Sequence, residues 1–151
     1  MTVTVCSRES ILERIANNSL QNCAVISFSD PEGGRRGVGY PPVDFQGSCD
    51  RVCHIFLYDL DPDALKQFGY TMDSYFDEAD AVARFIHEAV SCGLEIVCQC
   101  EYGQSRSAGL AAAILEHYER CGIEIFRDYR YYPNQLIFNK AYEALENTVE
   151  K

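Results

Sequence analysis

Apolar positions fall into two rhythms along the chain. Predominantly apolar runs at Val3–Cys6, Cys23–Phe28, Val52–Tyr58 and Leu94–Cys98 predict short buried strands. Elsewhere the apolar residues recur at helical spacing. Ile11, Leu12 and Ile15 follow Ser7, a residue suited to cap a helix. Phe76, Ala79, Val82, Ala83, Ile86 and Val90 mark a helix from about Asp73 to Ser91. Ala108–Leu115 predicts another, with Gly122 as its stop. A last one, from Asn134 to about Val149, turns Leu136, Ile137, Ala141, Tyr142 and Leu145 inward. Asp30–Pro42 is dense in Gly and Pro and reads as a loop, long enough that it is expected to flank a site. Strand, helix, strand, strand, helix, strand, helix, helix predicts an α/β fold. Its central sheet would be mostly parallel, of about four to five strands, with helices on both faces. No repeat, linker or low-complexity tract interrupts the order, so residues 1–151 are expected to form one domain.

Composition narrows the class. The 47% apolar share fits a globular chain with a core of its own, and no apolar run reaches the length of a membrane span. Met1–Cys6 lacks the basic-then-apolar pattern of an export signal, which predicts a cytoplasmic protein. The eight cysteines are scattered through apolar segments, so buried free thiols are expected rather than a disulfide framework. Cys49, Cys53 and His54 cluster without a second pair at zinc-site spacing, and neither a metal nor another cofactor is expected. A net charge of −10 excludes a general nucleic-acid or anionic-membrane binder and disfavours polyanionic ligands. Arg35, Arg36, Arg127 and Arg130 are candidates for a local basic field, with solvated surface arginines as the plainer reading.

The chemistry concentrates in Cys100-Glu101-Tyr102-Gly103-Gln104-Ser105-Arg106-Ser107, between a buried strand and a helix. A strand-to-helix turn of this kind points its backbone N–H groups inward, and the helix N-terminus adds its positive dipole end. Such a loop wraps a tetrahedral oxyanion. The same field favours Cys100 as a thiolate nucleophile, and Arg106 offers a planar fork to two phosphate oxygens. Ligands on parallel sheets bind beyond the carboxyl ends of the strands, and both Cys100 and the acidic turn Asp59–Asp63 lie at such ends.

Cys100, Gly103, Arg106 and Ser107 resemble the Cys-x5-Arg-Ser/Thr signature of the cysteine-dependent protein tyrosine and dual-specificity phosphatases, most closely the small bacterial type. The resemblance implies a phosphate monoesterase working through a phosphocysteine intermediate. Its substrate would be a phosphorylated protein or a small phosphate ester, and the enzyme is expected to be a monomer. In that scheme Cys100 attacks phosphorus, Arg106 clamps the phosphoryl group, and Ser107 steadies the departing thiolate. Glu101, Tyr102, Gly103, Gln104 and Ser105 contribute backbone N–H groups, and Tyr102 also lines the pocket. Asp59 stands where these phosphatases carry their general acid, with Asp61 and Asp63 as alternatives in the same turn. Pro133-Asn134 resembles the motif whose asparagine braces the active-site region, although Asn134 is equally read as a helix cap.

One departure concerns position 99, where the family commonly has His and this chain has Gln. Glutamine donates hydrogen bonds without carrying charge, which predicts slower catalysis and keeps open a catalytically weak or inactive phosphate-binding module. Cys98 is expected on the same side of the strand as Cys100, more as packing than as a redox partner. The loop's position along the chain disfavours the low-molecular-weight phosphatases and related arsenate reductases, and its length disfavours rhodanese-type sulfurtransferases. His54, His87 and His117 show no pairing with Cys100 that would suggest a Cys–His protease.

Overall fold

A computed structural model of the chain describes residues 1–31 and 40–148. Among these, β1 (Val3–Cys6), β2 (Cys23–Ser29), β3 (Val52–Phe56) and β4 (Glu95–Gln99) form one sheet in the order β1-β4-β2-β3. Every pairing is parallel, with Cys6 opposite Gln99, Ser27 opposite Gln99 and Ser29 opposite Phe56. Parallel strands need crossovers. One carries α1 (Arg8–Ala16) and another α2 (Ala79–Ser91); α3 (Arg106–Glu119), α4 (Ile123–Phe126) and α5 (Gln135–Asn147) follow β4.

Central position explains why β2 reads as a largely apolar run: every residue of it is buried. Ala24, Ile26 and Phe28 join Ile96 and Cys98 under Val82, Ile86, Leu110, Ile114 and Ile137 of the helices. Cys23 and Val25 join Val97 on the other face, under Ile11, Leu20, Val43 and Phe45. Each fully buried Ile or Leu contributes about 1.5–3 kcal/mol relative to exposure. The alternation places Cys98 and Cys100 in the same cluster, as their spacing implied.

The element boundaries depart from the periodicity in ways that local bonds explain. β3 ends at Phe56 rather than Tyr58, and α2 starts at Ala79, not near Asp73. Thr71 and Ser74 exchange hydrogen bonds between hydroxyls and backbone N–H groups at 2.8 and 3.1 Å, a local alternative to the helix. Phe76 then takes a left-handed φ of +54°, while Lys140 collects the carbonyls of Met72, Asp73 and Tyr75. α3 begins two residues before Ala108, at Arg106, and stops at Arg120, which takes the left-handed φ of +55°. Gly122 is therefore not the stop. A Cβ there would lie 2.6 Å from Ala112 O, so its small size serves packing against α3. The proposed end of the last helix at Val149, and Arg35 and Arg36, lie outside the described residues.

Candidate active site

The four strands deliver their carboxyl ends to one rim. The Cys100 N–H still donates to Cys6 O at 3.2 Å, so the cysteine is the first residue beyond β4. Past it, the carbonyls of Glu101, Gln104 and Ser105 are tied to the surrounding protein. They accept from Arg8 N at 2.9 Å, Tyr132 N at 2.8 Å and Asn134 N at 3.0 Å. The backbone N–H groups from Glu101 to Arg106 have no acceptor among the described residues. Outward carbonyls and free N–H groups are what a cradle for an oxyanion requires.

Gly103 makes the tight turn possible. Its φ is +64°, and a Cβ would meet Ser7 N at 2.7 Å and Cys6 C at 2.9 Å. Ser105 stands at the N-cap of α3 but does not cap it. Its hydroxyl donates to Asp59 Oδ1 at 2.7 Å, which leaves the positive end of α3 open toward the loop.

Cys100 is 3% exposed, and its Sγ lies 3.0 Å from Ser107 Oγ. Arg106, 5% exposed, donates from Nη1 to Asp30 Oδ1 at 2.9 Å and to Leu57 O at 2.7 Å. Gln99, at the position where the family commonly has His, is buried. It accepts from Ser27 Oγ and donates from Nε2 to Cys100 O at 2.9 Å, so the amide fixes the cysteine's own carbonyl. All eight cysteines are free thiols. Burial pushes the Cys98 thiol well up, which keeps it protonated and inert beside Cys100. Cys92 is exposed and Cys53 and Cys121 half-buried, so the expectation of buried thiols fails at these three.

Of the three candidate acids only Asp59 is bound to the loop. Its Oδ1 accepts from Ser105 Oγ at 2.7 Å and from Asn134 Nδ2 at 2.8 Å. Asn134 does both things read from its position. It caps α5 by accepting from Ile137 N at 2.9 Å, and its Nδ2 also reaches Leu60 O at 3.1 Å. A Cβ on Gly109 would lie 2.5 Å from Asn134 O, so α3 approaches this turn closely only because of that glycine. Tyr75, fully buried, donates to Tyr58 O at 2.7 Å and supports the same turn from below. Its phenol is pushed up to about 12, chiefly by burial. Asp61 accepts from Ala64 N at 2.9 Å and caps the short turn that follows. Asp59, Asp61, Pro62, Ser105, Tyr132 and Asn134 line an open cleft of about 420 Å³ beside the loop. A larger one, about 780 Å³, lies at the opposite, amino end of the sheet near Thr2, Cys23 and Glu95, away from this chemistry.

Other candidates lie elsewhere. Arg130 forks onto Asp128 at 2.8 to 3.2 Å on the surface, the plainer of its two readings. His54 packs on Phe45 and Phe56, His87 bonds Leu145 O at 3.1 Å, and His117 meets Glu146 at 3.1 Å. Cys49 is turned to Cys23 O at 3.3 Å, away from any joint site with Cys53 and His54. No three His, Cys, Asp or Glu residues among the described ones are placed to hold a metal ion. Likewise no helix among them is long and apolar enough to cross a membrane.

Three features were not legible as site features: Asp30, the Ser105 hydroxyl, and Tyr40, whose OH lies 2.6 Å from Tyr102 OH at the rim. Asp30 carried one usable signal, its place at the carboxyl end of the most buried strand.

The fold has counterparts among solved structures. A single-residue variant of human DUSP28 matches over 95% of this chain and 89% of its own, with a TM-score of 0.57 at 16% identity. Tk-PTP in its active form matches over 97% and 91%, with a TM-score of 0.56 at 16% identity. The PTP-2 phosphatase of Cydia pomonella matches over 95% and 85%, with a TM-score of 0.58 at 11% identity. No family model and no curated protein matches the sequence. The chain thus has the fold of the protein tyrosine and dual-specificity phosphatases, the fold that the loop motif implies.

Proposed function

We propose that the chain is a cysteine-dependent phosphatase that hydrolyses phosphate monoesters, phosphorylated protein side chains among them, through a phosphocysteine intermediate. One observation carries the reading. A buried cysteine, its serine partner 3.0 Å away, a buried arginine and a tethered aspartate meet at one loop whose N–H groups have no acceptor among the described residues.

The steps follow from these positions. The Cys100 thiolate attacks phosphorus, and the bond to the ester oxygen breaks. Asp59 gives that oxygen a proton from Oδ2, because Oδ1 is occupied by Ser105 and Asn134. The free N–H groups and Arg106 stabilise the equatorial oxygens as charge moves onto them. Water then attacks the phosphocysteine, its proton passing to Asp59. The sulfur–phosphorus bond breaks, and the Ser107 hydroxyl donates to the returning thiolate. Two displacements replace one difficult step.

The substrate is a phosphate monoester in this reading. An acidic chain of net charge −10 disfavours highly charged esters. A solved neighbour, PTPMT1 in complex with PI(5)P, makes a phosphoinositide the natural counter-test to phosphopeptides. The first experiment is hydrolysis of para-nitrophenyl phosphate in EDTA and reductant, comparing the chain with Cys100→Ser. Turnover that disappears in the variant supports the reading. Absent turnover from folded, reduced protein supports the phosphate-binding module instead.

A further inference from the structure

The Cys100 loop has a depression on each side. The one beside Asp59 is polar and acidic, with Asp59, Asp61 and Gln135 among its walls. The other is an open groove of about 530 Å³ along the start of α1, lined by Ser7, Arg8, Glu9, Leu12, Glu101 and Tyr102. Its two apolar walls stand out into solvent, Leu12 46% exposed and Tyr102 65%. Exposed apolar walls at the edge of a site mark a surface that a partner covers.

The charges in the groove answer one another. Arg8 Nε donates to Glu101 Oε2 at 2.7 Å, the Arg8 N–H donates to Glu101 O at 2.9 Å, and Arg8 Nη2 donates to Pro41 O. A charged ligand finds its counter-ion already paired here, whereas an apolar one gives up no hydrogen bond. The Tyr102 ring is also preset. Its hydroxyl lies 2.6 Å from that of Tyr40, and the two rings meet edge-on with centroids 5.7 Å apart. Tyr40 is in turn pinned beyond β2, its N–H donating to Asp30 Oδ2 at 3.2 Å and its carbonyl accepting from Asp30 N at 3.0 Å. A ring already held in place loses little freedom when a ligand packs against it. Tyr102 belongs to the Cys100 loop as well, so the groove is continuous with the phosphate cradle.

We propose that this groove receives an apolar side chain of a phosphorylated polypeptide, two positions from the phosphoresidue, packed between Leu12 and Tyr102. The register follows from extended backbone, in which side chains two apart share a face. One such side chain therefore descends into the groove as the phosphate enters the cradle. The inference rests on the phosphatase reading and narrows its substrates. Small phosphate esters leave the groove empty, and an inositol headgroup has nothing apolar to place in it.

The test uses two phosphotyrosine peptides, identical except for Leu or Ser at both positions two removed from the phosphotyrosine. Their kcat/KM is measured with the parent, and their affinity for Cys100→Ser by fluorescence anisotropy, a readout independent of turnover. The Leu peptide should be favoured roughly fivefold to thirtyfold in both, the scale of part-burying a leucine in an open groove. Leu12→Ser, made alone and together with Cys100→Ser, should reduce that preference to roughly twofold or less. Leu12→Met should keep it. Both Leu12 variants should hydrolyse para-nitrophenyl phosphate as the parent does, since Leu12 lies outside the cradle. Equal handling of the two peptides, or a preference that survives Leu12→Ser, overturns the proposal. So does a dimer in sedimentation that Leu12→Ser dissolves, which assigns the groove to a second copy of the chain. Turnover of para-nitrophenyl phosphate without the peptide preference leaves the phosphatase reading standing and removes the groove. A Leu preference in binding, with no turnover by the parent, does the reverse.

Discussion

Replacing Asn134 by Asp separates its two duties. The cap survives, because a carboxylate oxygen can still accept from Ile137 N, now at 2.9 Å. The brace is lost, because the donor 2.8 Å from Asp59 Oδ1 becomes an acceptor. A hydrogen bond to a charged group is worth about 1.5–3 kcal/mol. Two carboxylates about 3 Å apart repel by ~1.4 kcal/mol in a water-like medium and ~5 kcal/mol at an effective dielectric of 20. Asp59 is exposed, so the lower part of that range applies. The sum, about 3–5 kcal/mol, is enough to expel Asp59 from its place at the loop. General acid catalysis contributes about 10² to 10⁴ in rate, so a loss near a hundredfold is expected where the leaving group needs a proton. Phenyl phosphate is such a substrate. Para-nitrophenyl phosphate, with a far more acidic leaving group, should lose only a few-fold. The retained cap, and about 0.3–1 kcal/mol from a carboxylate at a helix N-terminus, offset part of that cost once Asp59 has moved away. Asn134→Ala, which loses the cap, should drop the thermal midpoint by about 2–4 °C. Equal losses on both substrates would refute the argument, as would a midpoint for Asn134→Asp below that of Asn134→Ala.

Three further outcomes follow from the geometry. Gly103→Ala places a Cβ 2.7 Å from Ser7 N in a left-handed backbone, so about 2–4 kcal/mol of strain and overpacking should appear in urea unfolding, with phosphate binding weakened. At Glu95, burial works to raise the carboxyl, but hydrogen bonds from Arg14 and Thr4 prevail and hold it below its ordinary value. A depressed carboxyl stabilises above its unfolded value and loses that contribution as pH falls through the folded one. Melting curves from pH 7 down to 3 should therefore show the parent's advantage over Glu95→Gln shrinking with acid; a constant gap would contradict the pairing. Mildly oxidised protein should give no Cys98–Cys100 disulfide peptide by mass spectrometry, because the Cys98 thiol is held protonated by burial.

The sheet was legible because β2 and β4 are buried on both faces and so read as largely apolar runs. The loop was legible because its residue types are tied to its chemistry: a glycine for φ +64°, an arginine at the start of α3, a serine near the sulfur. The start of α2 was not, because the Thr71–Ser74 bonds override an apolar spacing that continues through Phe76. Asp30 was hidden for a different reason. It lies seventy-six positions from Arg106, and only the parallel order of β2 beside β4 brings them together. Ser105 showed only its backbone role, since its hydroxyl partner Asp59 comes from another strand's end.

The central claim is a covalent bond between Cys100 and phosphorus. The direct measurement uses Asp59→Asn, which should slow the second step by removing the base that takes water's proton. The variant is mixed with para-nitrophenyl phosphate, quenched in acid within milliseconds to seconds, digested and read by mass spectrometry. One phosphoryl group on the Cys100 peptide, absent in Cys100→Ser, is the predicted result. Turnover with a phosphoryl group on any other residue, or on none while product accumulates in a burst, would contradict it.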